Sequence, residues 1–157
     1  MSNAPDNIDR FNLMTLALFQ KLYGAFPAPI EIDPGQIGSE AAPEDASDRT
    51  QWDSGAEAGH AITWLAEEGF LRFESQSTQG DFYEVRLSLK GLSVLGSLPT
   101  ALAPTDPKET VIARIKRTLA SGTEKAGTEA VKGIISEIFK LSLRYGLSGG
   151  GEPGVSV

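Results

Sequence analysis

An acid and a histidine one helical turn apart, Glu57 and His60, with Asp53 a turn earlier, make the one constellation whose spacing could hold a metal or move a proton. Carboxylate metal bundles use such a pair twice and add further glutamates. Here the pair occurs once and His60 is the only histidine, so it reads as a solvated helix face with a local ion pair. The chain has no cysteine, which removes thiol nucleophiles, disulfides and thiolate-held metals. A Ser-His-Asp triad is the remaining familiar nucleophilic device, and no glycine-flanked serine motif accompanies the histidine. Residues 146–154 are glycine-rich but lack the Lys-Ser/Thr pair and the preceding strand of a phosphate loop. The sequence therefore predicts no enzymatic activity, no metal and no cofactor.

The elements that carry these residues belong to a chain of 157 residues, 40% hydrophobic, with a formal charge of −7. One domain of about 100 residues with an appendage fits that length. The negative charge opposes a general role in coating nucleic acid or anionic membranes. Asp6 and Asp9 stand before the first apolar stretch, where a signal peptide would carry Lys or Arg. The longest uncharged run, residues 91–105, is interrupted by Pro99 and Pro104 and is shorter than the roughly 20 residues of a membrane span. A cytoplasmic protein is the resulting expectation.

Asp6 can cap a first helix whose apolar face is Phe11, Met14, Leu18, Leu22 and Phe26, ended by Pro27 and Pro29. An extended piece at 30–32 precedes Asp33-Pro34, a cap followed by proline at the first helical position. The acidic, alanine-rich stretch 39–48 reads as a loop, and a third helix starts at Asp48 or at Ser54, where Glu57 would complete a capping box. Its inward stripe is Ala58, Ala61, Ile62 and Leu65, with Gly69 as its stop. Alternating residues at 70–75 and 82–88 flank a turn of Gln76, Ser77, Thr78, Gln79, Gly80 and Asp81, which predicts a β-hairpin. Ser88 can cap a short helix ending before Pro99. After a linker at 100–105, Asp106-Pro107 opens one long helix over 106–145. Residues 146–157 read as a disordered tail.

The run Trp64-Leu65-Ala66-Glu67-Glu68-Gly69-Phe70-Leu71 resembles the end of the recognition helix and the entry to the wing in winged-helix regulators of the multiple-antibiotic-resistance type. Leu87-Ser88-Leu89-Lys90-Gly91-Leu92 is similar to the step from wing to following helix in the same family. The resemblance covers about residues 6–98. It implies an α+β, mostly helical fold: a winged helix-turn-helix domain at 1–99, followed by a long C-terminal helix. It also implies that the outward face of the third helix and the wing tip at 76–81 meet DNA.

Helical rotation places Asp53, Glu57, His60, Trp64 and Glu67 on that outward face. Readers of the major groove offer Arg, Lys, Asn or Gln there. Residues 28–84 hold thirteen acids and two bases, a net −11, and the wing tip holds no Lys or Arg. Phosphate binding needs cations, so charge disfavours DNA and favours a protein partner, with a DNA-binding transcription regulator as the alternative. Trp64 admits two readings, packing against the first or last helix or serving as an exposed interface anchor.

The last helix, at net +4 over residues 107–145, carries Ile112, Ile115, Leu119, Val131, Ile134, Ile138, Leu141 and Tyr145. Their spacing favours an association seam that makes a homo-oligomer or docks a protein partner. The other two readings are a helix lying on a membrane surface, which Glu124, Glu129 and Glu137 disfavour, and a helix folded onto its own domain.

Overall fold

The computed structural model describes residues 7–41, 48–96, 109–120 and 123–149, with 48–54, 123–128 and 145–149 described as backbone only. The protein is mostly helical with a small antiparallel sheet, an α+β arrangement. The first helix, α1 (Asn7–Ala25), lies at the centre. Its expected stripe is present, with Met14, Leu18 and Leu22 buried. Leu16, Thr15 and Phe19 are buried as well, so α1 is covered on more sides than a surface helix, and Phe26 at its end is exposed. The covering elements are α2 (Pro34–Ala41), α3 (Asp48–Glu67), α5 (Val111–Ala120), α6 (Thr123–Gly149) and strand β4 (Phe82–Leu87), all of which touch it.

The α2–α3 crossing is close: a Cβ on Gly55 would stand 3.2 Å from the Gly35 Cα, so glycines at the crossing let the two backbones approach tightly. The third helix takes the earlier of its two possible starts, Asp48, and the expected loop at 39–48 shrinks because α2 runs to Ala41. Its central residues 42–47 lie outside the described ones.

The hairpin forms, with three partners on one strand. β4 pairs antiparallel with β1 (Ile30–Ile32) on one side, and with β2 (Leu71–Arg72) and β3 (Ser75–Gln76) in a single continuous register. The first expected strand, 70–75, is thus split at Phe73 and Glu74. Opposite that break Glu84 has a φ of 57°, the left-handed region that a side chain enters at a cost of about 1–3 kcal/mol. The turn closes around Ser77, whose Oγ accepts hydrogen bonds from the backbone N–H groups of Gln79 and Asp81.

The two sequence runs at the end of α3 and the end of β4 form one joint. Ser88 caps α4 (Leu89–Leu95): its Oγ accepts from the Gly91 N–H and donates to the Gly69 carbonyl, while its own N–H donates to the Phe70 carbonyl. Lys90 Nζ donates to the Glu68 carbonyl at 2.8 Å and lies 4.9 Å from the Phe70 ring centre. Gly69 turns the chain at a φ of +89°, and Gly91 leaves room for the Phe70 carbonyl, into which any Cβ would drive.

The C-terminal part differs from expectation. Instead of one helix over 106–145 there are two, α5 and α6, packed on each other. Thr110 Oγ1 accepts from the Ala113 N–H, so α5 begins at Val111 and not at Asp106. Residues 106–108, like the linker 100–105, are outside the described ones. The α6 helix continues to Gly149, past the expected end at 145. Both helices contribute to the same hydrophobic core as the N-terminal elements, so the predicted boundary between a domain at 1–99 and a separate helix does not divide the core. Among the described residues no helix is long and apolar enough to cross a membrane.

A chain ended at residue 100 strips α5 and α6 from α1 and exposes the residues they cover. We expect it to lose cooperative thermal unfolding, measured by circular dichroism, where the full chain keeps it. Gly91→Ala should destabilise the full chain by about 1–3 kcal/mol, the usual penalty of forcing atoms into packed space, read from chemical denaturation.

Candidate functional site

The N-terminal turns of α1, the middle of α3 and the middle of α6 frame a groove of about 720 Å³. Trp64 stands in it, 40% exposed. Its indole meets Phe11 of α1 edge-on at 5.5 Å between centroids and Phe139 of α6 at 6.0 Å. Phe139 in turn meets Phe70 at 5.9 Å, and Phe70 meets Phe19 at 5.8 Å, so a chain of rings leaves α1 at Phe11 and returns to it at Phe19. Ile8, Met14 and Ile135 complete the apolar wall. Trp64 packs on the first and the last helix, the first of its two readings, and still presents surface.

At the rim Arg10 and Glu57 form a two-pronged ion pair, Nε to Oε1 at 2.8 Å and Nη2 to Oε2 at 2.7 Å. The Arg10 hydrogen bond holds the Glu57 carboxyl below its ordinary range; partial burial pulls the other way, and the Arg10 charge adds to the lowering. The acid of the acid–histidine pair is therefore committed to α1. His60 is exposed and borders both this groove and a second cleft of about 580 Å³. That cleft lies between the α2–α3 crossing and the hairpin turn, lined by Gly35, Gly59, Thr63, Gln76 and Gly80, with Asp33 its one carboxylate among the described residues. Among the described residues no three His, Asp or Glu side chains gather to hold a metal ion.

The face expected to be outward is thus divided. Glu57 and Trp64 turn into the groove under α1 and α6, His60 sits between the clefts, and Glu67 is exposed. The Asp53 side chain is outside the described ones. On the hairpin turn Gln76, Thr78 and Gln79 are exposed, while Ser77, Gly80 and Asp81 are half-buried.

The expected association seam is corrected by burial. Ile112, Ile115, Val131, Ile134, Ile138 and Leu141 lie in the core, and Leu119 packs partly buried against it. The stripe meets α1 and α4 of its own chain, which is the third of the three readings; the Tyr145 side chain is outside the described ones. The groove residues on α6, Ile135 and Phe139, each sit one position after a stripe residue, a doubled apolar pattern that signals a second covered face. Asn12 and Lys132 gave no such signal.

No family model matches this chain, and neither a curated protein nor a solved structure matches it.

Because Trp64 is partly exposed, Trp64→Ala should cost about 1–3 kcal/mol, below the 3–5 of a fully buried aromatic and well above a free surface residue. Denaturant unfolding measures it. Glu57→Gln should cost less than about 1 kcal/mol, since the pair is more than one-third exposed. The folded carboxyl is lowered, so the pair's contribution is present above the unfolded value and fades as pH falls through the folded one. Melting curves of wild type and Glu57→Gln should therefore converge on acidification.

Proposed function

We propose that the chain is a non-enzymatic winged-helix-type module that binds a basic protein surface through the carboxylates of α3 and the hairpin, and does not bind duplex DNA. The order helix, short helix, helix, hairpin, helix supports the architecture, as does the Ser88–Gly91 joint between the two runs that resemble winged-helix regulators. Fold likeness is silent on activity, so the site must carry the rest.

The observation that carries it is the sign of the charge. Among the described residues, exposed Glu67 and Glu68 at the end of α3, exposed Glu74 and Glu84 on the hairpin and half-buried Asp81 outnumber the neighbouring cations Arg72, Arg86 and Lys90. The turn at 76–81 adds no Lys or Arg. Duplex DNA binds by exchanging counterions for Lys and Arg, so this surface repels it, while a basic protein partner finds complementary charge. The C-terminal stripe is not the docking surface in this reading, because a second molecule reaching it would first have to unpack α5 and α6 from α1.

Fluorescence anisotropy with a labelled mixed-sequence duplex at low salt tests the reading. Wild type should bind no tighter than about 100 µM, the weak end of non-specific affinity. The triple change Glu67→Lys, Glu68→Lys, Glu74→Lys should create salt-sensitive binding if sign alone bars the duplex. Tight wild-type binding with a steep negative salt slope overturns the proposal in favour of a DNA-binding regulator.

A further inference from the structure

The groove around Trp64 has three properties that together select a ligand. Its volume, about 720 Å³, lies within the usual range of small-molecule sites, and its walls are aromatic and aliphatic. A polar residue lines it: Asn12 is 4% exposed overall and contributes to the groove wall. The third property is the charge at the mouth. Lys132 is exposed there and has no ion pair or hydrogen bond among the described residues, and the Glu57 charge is answered by Arg10. Among the described lining residues Lys132 is thus the one charge not answered by an opposite one.

We propose that this groove binds a small amphiphilic monocarboxylate. Its apolar body lies against Phe11, Trp64, Ile135 and Phe139, its carboxylate meets Lys132 at the rim, and the Asn12 amide donates to an oxygen of the bound molecule. An uncharged apolar molecule of equal size would leave Lys132 unanswered, and an amine would meet it with like charge. The site is separate from the acidic α3–hairpin surface, so the DNA experiment neither supports nor removes it.

Isothermal titration calorimetry of the full chain with decanoate, decanol and decylamine, each below its micellar concentration, reads the selectivity. Decanoate should bind saturably at one site with sub-millimolar affinity, and at least about tenfold more tightly than the alcohol or the amine. In the Trp52→Phe chain, where Trp64 is the sole indole, decanoate should change the emission with the same midpoint. Lys132→Glu alters an exposed residue and should keep the melting temperature, yet weaken decanoate about tenfold or more while leaving decanol unchanged. Asn12→Leu should weaken both acid and alcohol. No saturable binding, equal affinity for all three probes, or decanoate affinity indifferent to Lys132→Glu would each overturn the proposal.

Discussion

The burial of α1 on nearly every side is the constraint from which the rest of the structure follows. A helix that hides Leu16, Leu18, Phe19 and Leu22 together cannot be satisfied by one neighbouring layer. Each such side chain contributes about 1.5–3 kcal/mol when removed from water, and that free energy is available only if elements surround the helix. The sheet and α2–α3 supply one part of the cover, and α5–α6 supply the other. The ring chain from Phe11 through Trp64, Phe139 and Phe70 to Phe19 ties these two covers together, beginning and ending on the helix they enclose.

The groove is a consequence of the same arrangement. Near its N-terminal end α1 carries Ile8, Phe11 and Asn12 beyond the point where α3 and α6 close over it, and the three helices leave a trough between them. Its polarity is set by what α1 and α6 bring: Arg10 reaches across to neutralise Glu57, and Lys132 at the mouth has no partner among the described residues. The α3 end and the hairpin, by contrast, carry Glu67, Glu68, Glu74 and Glu84 at the surface. One chain thereby presents two faces of opposite local character.

Much of the backbone was legible in the sequence because local chemistry decided it. Asp33-Pro34 starts α2, Gly69 ends α3 and Ser88 caps α4, each through a bond or a torsion that its residue type favours. Alternation around Val85 and Leu87 marked β4, although the left-handed Glu84 that splits its partner strand has no sequence signature. What the sequence did not disclose is which face each stripe meets. Val131, Ile134 and Ile138 have the same spacing whether their cover is a second molecule or their own α1, because periodicity records that a face is covered and not by what. The same gap hid the site. Rotation about the α3 axis placed Glu57, His60 and Trp64 on one face, but only the path of α1 and α6 turns two of them into a groove and leaves the third between two clefts.

The central position of α1 also governs the order in which the fold can assemble. Ribosomal synthesis releases residues 7–25 long before 123–149, yet α1 is not covered until α6 has been made. Through that interval Leu16 and Phe19 can reach at most the cover that α2, α3 and the hairpin provide. Closing the α1–α6 contact joins segments about a hundred residues apart and brings a loop-entropy cost that local contacts cannot offset early. A topology that encloses its first helix with its last completes its core only when the end of the chain's helical part has been made.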